Sequence, residues 1–248
     1  MRGFALCADC RREYEEPRDR RFHAQPTACP ACGPRLALQD GDGRVLARDD
    51  EALRRAAEAL LAGRIVAVKG LGGFHLCCDG RDEVAVARLR AGKVRREKPL
   101  ALMVRDVAAA RTLCEVSDEA ERWLRSPEAP ILLLPRLVPG SAPRVAGPNA
   151  VGPNLAGPNA AGPNGAGPSP TIAPNVAPES TRLGVMLPST PLHHLLLAAV
   201  DAPLVATSGN LSDEPIATDE VEAVERLGAI ADLFLVNDRP VERHVDDS

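Results

Sequence analysis

Four cationic side chains lie close together near the middle of the chain. They fall within six residues: Lys93, Arg95, Arg96 and Lys98. The apolar run Leu100–Val104 follows them directly. Lysine and arginine bind phosphate and carboxylate groups through charge-assisted hydrogen bonds. The cluster therefore favours an anionic ligand, phosphate above all. A solvated basic turn is the alternative interpretation, and composition alone does not separate the two.

A glycine turn precedes this cluster. Gly70, Gly72 and Gly73 follow the β-branched run Ile65–Val68, which has the composition of a buried strand. Glycine lets the backbone turn sharply or lie close to a ligand. The turn lacks the Gly-Lys-Ser/Thr end of a Walker A loop, and His75 stands where a Rossmann fingerprint needs its third glycine. An anion site in this region would therefore be distributed over separate segments.

A second polar segment follows another predicted strand. Ser208 and Asn210, with a glycine between them, come directly after the apolar run Leu204–Thr207. Open α/β sheets usually bind ligands at the C-terminal ends of their strands. Hydroxyl, amide and backbone N–H groups here can meet a phosphate together with the cations of residues 93–98. A plain turn that caps the next helix is the alternative.

Two Cys-x-x-Cys pairs near the N-terminus predict a metal site. Cys7 and Cys10 are followed, after 18 residues, by Cys29 and Cys32. This separation fits a tetrahedral zinc ion held by four thiolates, a closed structural site to which we assign no catalysis. The segment is too small to bury a core, so the metal would supply its folding free energy. A redox pair or two disulfides are the alternatives.

Composition restricts the class of protein. The chain has 248 residues, of which 45% are hydrophobic and only 2% aromatic, so its core must consist of Ala, Val and Leu. A net charge of −4 argues against nucleic acid bound through bulk charge. No apolar run is long enough for a membrane helix, and the N-terminus does not resemble a signal peptide. Seven cysteines without such a signal favour a reducing, cytoplasmic location with free or metal-bound thiols.

The remaining pattern alternates between helices and strands, which predicts an α/β fold. Predicted helices cover Asp50–Ala62, Asp82–Ala91, Leu192–Val200 and Asp219–Leu227, and predicted buried strands cover Leu100–Val104, Ile131–Leu134, Leu183–Leu187 and Leu233–Val236. Two short helices are expected within residues 105–127, with Ser117 as an N-cap and Trp123 in the core. Cys77, Cys78 and Cys114 are expected to be buried thiols.

The same pattern predicts the domain organisation. Residues 1–36 form the four-cysteine finger, 37–49 a connector with a β-hairpin, and 50–248 the main domain. Within the main domain, residues 138–180 carry Gly-Pro-Asn units that recur every five residues. Proline removes hydrogen-bond donors and glycine raises chain entropy, so this stretch is expected to be a disordered insertion between two strands.

Several motifs, taken in order, resemble one known family. They are VKGLGGFHLCCD, KVRREKPLALMV, LGVMLPSTPLHHLLL and LVATSGNLSDEPI. These resemble the YrdC-like domain of the hydrogenase-maturation carbamoyltransferase family, HypF, and residues 7–36 resemble the second four-cysteine finger of that family. The resemblance covers nearly the whole chain apart from the Gly-Pro-Asn insertion. It implies a YrdC-like twisted mixed sheet with flanking helices. It also implies a central fragment, since the acylphosphatase, first-finger and transfer domains have no counterpart here.

The resemblance also implies a reaction. In this family, carbamate derived from carbamoyl phosphate is joined to ATP, giving carbamoyl adenylate and pyrophosphate. The carbamoyl group then passes to the C-terminal cysteine of a HypE-type protein, where it becomes a cyanide ligand of [NiFe] hydrogenase. By this likeness, the catalytic cations would be Lys93, Arg95 and Lys98, aided by Mg²⁺ on the pyrophosphate.

The other implied contacts come from the neighbouring motifs. Ser208 and Asn210 would hold phosphate or acyl oxygens, and Lys69 would be a fourth cation beside Gly72 and Gly73. In this family no side chain acts as a nucleophile, and the sequence shows no Cys/His or Gly-x-Ser-x-Gly nucleophile signature.

Two other functions fit the wider YrdC fold. Single-domain relatives make threonylcarbamoyl adenylate for tRNA modification and share the KxRxxKP and TSxN motifs. They usually carry a TxTxYGL-like pattern where this chain has GLGGFHL. The missing threonine hydroxyls suit carbamate, which is smaller than an amino acid derivative. A double-stranded RNA-binding module is the third possibility, and the net charge of −4 argues against it.

Overall fold

The computed structural model describes residues 3–95, 97–137, 171–211 and 214–242. Within them are seven α-helices: α1 (Ala8–Glu15), α2 (Asp49–Leu61), α3 (Glu83–Gly92), α4 (Val107–Leu113), α5 (Asp118–Leu124), α6 (Pro191–Val200) and α7 (Glu220–Leu227). The same residues form nine strands: β1 (Leu36–Gln39), β2 (Val45–Arg48), β3 (Val66–Lys69), β4 (Phe74–Asp79), β5 (Ala101–Met103), β6 (Leu132–Pro135), β7 (Arg182–Met186), β8 (Leu204–Ser208) and β9 (Leu233–Asn237). A 3₁₀ turn, Pro174–Val176, precedes β7.

The nine described strands form one sheet in the order β2-β1-β9-β3-β4-β8-β5-β7-β6. β3 pairs in parallel with β9, and β5 pairs in parallel with β7, whereas the other neighbours are antiparallel. This confirms the predicted α/β class and mixed sheet. The hairpin β1–β2 pairs with β9 through β1, so the segment expected as a connector is part of the main sheet.

Side chains along a strand alternate between the two faces of the sheet, as the pleat requires. On one face of β3, Ala67 joins a core that includes residues of α3, α4 and α7. On the other face, Val66 and Val68 join a core that includes α2 and α6. α2 packs against β1, β3, β4 and β9 on this second face. The other half of that face, formed by β8, β5, β7 and β6, is the floor of an open cavity.

Most helices begin where a short polar side chain can accept a backbone N–H, the usual physical signal for a helix start. Five side chains do so at the N-caps: Asp82, Asp106, Ser117, Thr190 and Asp219. The predicted N-cap at Ser117 is therefore confirmed. In the described parts of the chain, every helix is too short or too polar to span a bilayer.

Two expectations about the core are wrong. Trp123 is 53% exposed, because in the short helix α5 only Leu124 is buried. The run predicted as a buried strand becomes the edge strand β6, in which Leu133 is 62% exposed. An edge strand has a neighbour on one side only, and one face of β6 borders the open cavity. The three buried thiols, Cys77, Cys78 and Cys114, are confirmed.

The expected Gly-Pro-Asn insertion lies mostly outside the described residues, which resume at position 171. Inside the range 138–180 that was assigned to it, Ile172, Ala173, Val176 and Ala177 are buried in the core. The backbone N–H of Ala173 donates to the carbonyl of Gly80 at 2.9 Å. Residues 172–177 are therefore a structural part of the domain, in contact with α3. We call residues 93–98, which follow α3 in the chain, the basic loop.

Candidate active site

An open cavity of about 470 Å³ lies on the sheet face beside α6. One end is polar or cationic and is lined by His75, Arg95, Lys98, Thr207 and Ser208. The other end is largely apolar and is lined by Leu100, Ala101, Ile131, Leu133, Gly184, Met186 and Ala206. A ligand with an anionic part and a flat apolar part would match this division. We call this cavity the cationic pocket.

Lys93 joins the basic loop to the segment after β8. Its ammonium donates to the carbonyl of Ser208 at 2.5 Å and to Oδ1 of Asn210 at 2.9 Å. The hydroxyl of Ser208 donates to the same Oδ1 at 2.7 Å. Lys93 is only 4% exposed, so the charged group is held by these oxygens inside the protein. Two motifs 115 residues apart in sequence therefore form one structural unit.

The environment of Lys93 changes its protonation. Burial, followed by the positive charge of Arg95, lowers the pKa of Lys93 to about 8. Burial, followed by the charge of Arg90, also lowers the pKa of Arg95. Desolvation disfavours the charged form of a base, and a neighbouring cation acts in the same direction. The loop therefore concentrates positive charge in a place that favours an anion.

Arg95 folds back over its own loop and reaches β8. Its guanidinium donates to the carbonyl of Pro99 at 2.8 Å, to the carbonyl of Lys98 at 3.3 Å and to Oγ1 of Thr207 at 3.3 Å. Lys98 is exposed and lines the pocket beside it. Arg96 lies outside the described residues. Of the predicted cations, Arg95 and Lys98 therefore line the pocket, and Lys93 lies buried behind Ser208, which also lines it.

The glycine turn packs against the segment that follows β8. Gly73 has a φ of +153°, and a Cβ there would lie 2.3 Å from a methyl group of Ile216. The N–H of Gly209 donates to the carbonyl of Phe74 at 2.6 Å, an approach that leaves no room for a side chain. Gly72 is half-buried in the same turn. At Gly73, close backbone packing thus accounts for the glycine without any ligand.

Lys69 is not part of the cationic pocket. Its ammonium donates to Oε1 of Glu220 and to the carbonyl of Asn237, both at 2.9 Å. Lys69 is 6% exposed and lines a separate cavity of about 260 Å³ that also contains Arg35 and Leu71. The structure therefore does not bring the expected fourth cation to the other three.

Sequence reasoning missed His75 as a pocket residue. Across the β4–β8 pair it lies opposite Ser208, and its ring stacks on that of His193 with centroids 5.4 Å apart and planes 17° apart. His193 itself is buried near the start of α6. The alternation along β4 predicts that His75 lies on the opposite face of the sheet from Phe74 and Leu76. Only the pairing with β8 shows that the face of His75 borders the cationic pocket.

The four predicted metal ligands converge in the finger. Their sulfurs lie within 4.8 Å of one another, with Cys7 and Cys29 at 3.6 Å and Cys29 and Cys32 at 3.8 Å. A tetrahedral zinc ion bound at about 2.3 Å holds its sulfurs about 3.8 Å apart. Cys7 precedes α1 and Cys10 is buried within it. The donor set and its spacing therefore fit a structural zinc ion.

Hydrogen bonds within the finger favour the thiolate forms of Cys29 and Cys32. Backbone amides of Ala31 and Cys32 lower the pKa of the Cys29 thiol. Those of Cys7 and Cys29 lower the pKa of Cys32 to about 6. Burial instead raises the pKa of Cys10. Since only the thiolate binds a metal, these backbone amides favour metal binding at Cys29 and Cys32.

Comparison with known families gives two matches in different parts of the chain. The Sua5/YciO/YrdC family, described as "Telomere recombination", matches residues 58–152 and 165–248. The "HypF finger" matches residues 6–39 and so contains all four cysteines of the finger. Residues 40–57, which include β2 and the first part of α2, lie between the two matches.

Individual relatives match across both parts. The carbamoyltransferase HypF of Rhodobacter capsulatus is 48% identical over 100% of this chain and 29% of its own length. Full-length HypF in a phosphate- and nucleotide-bound crystal form has a TM-score of 0.80 and 42% identity, over 100% of this chain and 28% of the other. HypF of T. kodakarensis has a TM-score of 0.81, 36% identity and the same coverage. The chain therefore spans less than a third of the length of these relatives.

The fold and its two sites define a YrdC-like domain with an attached four-cysteine zinc finger. The nine-stranded mixed sheet carries the cationic pocket, and the finger precedes it in the chain. The chain belongs to the Sua5/YciO/YrdC family, and its finger and domain together match those of the HypF proteins.

Proposed function

We propose that the cationic pocket forms carbamoyl adenylate from ATP and carbamate. The observation that carries this proposal is the contact of Lys93 with Ser208 and Asn210, which unites two family motifs at the cationic end of the pocket. The relatives that match the whole chain are named carbamoyltransferases, which supports carbamoyl chemistry for this domain.

The reaction is a nucleotidyl transfer between two anions. A carbamate oxygen attacks the α-phosphorus of ATP, the bond from that phosphorus to the bridging oxygen breaks, and pyrophosphate leaves with the electron pair. Arg95 and Lys98 would stabilise the charge on the phosphoryl oxygens, and Lys93 would hold the Ser208 segment against them. No protein nucleophile is needed, since the carbamate is itself the nucleophile.

The two ends of the pocket suit the two parts of a nucleotide. The apolar end, with Ile131, Leu133 and Met186, offers a surface for the base, and the cationic end offers partners for the phosphates. The described residues that line the pocket include no carboxylate. Mg²⁺, which would neutralise the leaving pyrophosphate, would therefore enter with the phosphates of ATP.

The product would be passed on rather than released. Carbamoyl adenylate is a mixed anhydride that water hydrolyses, so the domain would act beside a transfer site for the carbamoyl group. In our proposal the acceptor is the C-terminal cysteine of a HypE-type protein, and the thiocarboxamide so formed leads to the cyanide ligand of [NiFe] hydrogenase. Carbamoyl phosphate, hydrolysed elsewhere, would supply the carbamate.

Pyrophosphate release tests the proposal directly. The 248-residue chain is incubated with ATP and Mg²⁺, and either with carbamoyl phosphate and an added acylphosphatase or with threonine and bicarbonate. We expect release that depends on the carbamate source. Release that depends on threonine would instead identify a threonylcarbamoyl-adenylate synthase. No release with either, together with salt-sensitive binding of double-stranded RNA, would overturn adenylation and favour a binding module.

A further inference from the structure

Arg90, in the last turn of α3, holds two separate segments at once. It is 8% exposed, and its guanidinium donates to the carbonyls of Arg95 at 3.0 Å and Lys98 at 3.2 Å in the basic loop. The same group donates to the carbonyl of Val176 at 3.0 Å and to that of Asn175. One planar cation thus connects the loop that carries the pocket cations to the 3₁₀ turn before β7.

These contacts suit arginine in particular. The guanidinium has five N–H donors in a rigid plane, whereas a lysine ammonium is a compact charge that cannot reach several spread acceptors at once. A buried charge is costly unless hydrogen bonds satisfy it, and the acceptors named here are neutral carbonyls. Burial accordingly lowers the pKa of Arg90.

The basic loop needs an external restraint. Val94 has a φ of +51°, and a β-branched residue rarely adopts this left-handed conformation. Such strain persists only where the surrounding structure fixes the backbone. Arg90 supplies part of that restraint, because its own carbonyl also accepts the N–H of Arg95 at 3.0 Å.

The second segment is itself anchored in the core. Ile172 and Val176 are buried, and the N–H of Ala173 donates to the carbonyl of Gly80. The carbonyl of Val176 accepts from Arg90 and, at 2.9 Å, from the N–H of Leu100, which directly precedes β5. The turn is therefore a fixed support against which the loop can be set.

We propose that Arg90 is a positioning residue for the cationic pocket: by binding the carbonyls of Arg95 and Lys98 it fixes where their side chains stand. Its kinetic consequence rests on the adenylation proposed above, but its effect on the loop does not. Arg90 is not among the described residues that line the pocket, and it binds two that are, through the carbonyls of Arg95 and Lys98.

Arg88 on the same helix provides a matched control. It pairs with Asp232 at 2.8 Å and donates to the carbonyl of Gly63 at 3.4 Å, neither of which lines the pocket. Replacing either arginine by alanine removes the same atoms from α3. Only the Arg90→Ala change removes the support of the basic loop.

The test measures kinetics and loop protection in the 248-residue chain. A misplacement of about 1 Å costs on the order of 100-fold in rate, so we expect Arg90→Ala to lose about that factor in kcat with a smaller change in the KM for ATP. Amide hydrogen exchange of a peptide covering residues 93–100, without ligand, should become faster. Millimolar methylguanidinium, which fits the vacated space, should restore part of kcat. Arg88→Ala should change none of these values by more than a few-fold.

Each outcome has one meaning. If Arg90→Ala keeps wild-type exchange in the loop and wild-type kcat, the positioning role is wrong. If Arg90→Ala does not fold, Arg90→Lys keeps the charge and should fold, and its loop exchange must exceed that of Arg88→Lys for the proposal to stand. If the wild-type chain itself releases no pyrophosphate, adenylation fails, while the exchange comparison still decides the role of Arg90.

Discussion

The four-cysteine finger and the cationic pocket are assembled over very different distances along the chain. All four thiols of the finger lie between Cys7 and Cys32, and their sulfurs converge within 4.8 Å. In the pocket, Lys93 meets Ser208 and Asn210 across 115 and 117 residues. The finger depends on a metal that its own short segment can hold, whereas the pocket depends on the order and register of a nine-stranded sheet.

This difference has a physical consequence. A short polar segment buries little apolar surface, so most of its folding free energy must come from metal binding. The pocket, in contrast, is held by the two apolar layers on either side of the sheet. Loss of a zinc ligand should therefore unfold the whole finger and leave the sheet folded. Loss of a pocket side chain should reduce activity and also leave the sheet folded.

The largest effect is expected for Cys29→Ser. Loss of one thiolate should release the single zinc equivalent, because structural zinc contributes on the order of 10 kcal/mol to such a segment. Metal analysis should find about one zinc per wild-type chain and almost none in the variant, with the thermal transition of the sheet retained. Cys114→Ser, which alters a buried thiol outside the cluster, should keep its zinc. A wild-type chain whose finger is folded without metal would contradict the zinc site.

A large effect on catalysis is expected for Lys98 and Lys93. Lys98→Ala removes an exposed charge, so it should abolish most pyrophosphate release, by about 10²–10³-fold, without lowering the melting temperature. Lys93→Met should lose a similar factor and also destabilise the segment that contains Ser208 and Asn210. Arg105→Ala removes a surface cation paired with Asp201 and serves as the control. Full activity in Lys98→Ala would remove that residue from the site.

Lys93 also predicts a pH dependence. Burial places its pKa at about 8 in the folded chain, below the ordinary value of 10.5. Its protonated form therefore costs stability below about pH 8, and this cost disappears as the pH rises from 8 towards 10.5. Activity should follow the opposite trend and fall above about pH 8, because the neutral amine has lost its positive charge and one of the three N–H donors that hold Ser208 and Asn210. In Lys93→Arg the guanidinium stays charged, so pyrophosphate release should not fall above about pH 8. If it falls there as in the wild-type chain, another group titrates.

The smallest catalytic effect is expected for Lys69→Met. This lysine pairs with Glu220 and lines the other cavity, so its loss should lower the melting temperature by a few degrees and change kcat by no more than about two- to three-fold. Melting curves and pyrophosphate release from the same preparation measure both. A loss as large as that of Lys98→Ala would return Lys69 to the nucleotide site.

Much of the local structure was predictable from the sequence. The helix start at Ser117 follows from a side chain that can accept a backbone N–H, and the buried thiols follow from their apolar neighbours. Apolar character predicts that Trp123 and Leu133 lie in the core, but neighbours in the fold decide whether a side chain is buried. Trp123 lies on a short helix with one buried residue, and Leu133 lies on an edge strand.

The sequence by itself determined the finger and the identity of the pocket cations, because cysteine spacing and charge clustering are local properties. Only the tertiary structure decided which residues share the pocket. Pairing of β4 with β8 places His75 opposite Ser208. In the folded chain Lys93 contacts Asn210, whereas Lys69 pairs with Glu220. The tertiary structure also shows that Arg90 donates to carbonyls of two segments that are far apart in the sequence. Strand order is set by the packing of the whole sheet, because most neighbouring strands in the described sheet are not consecutive in the chain.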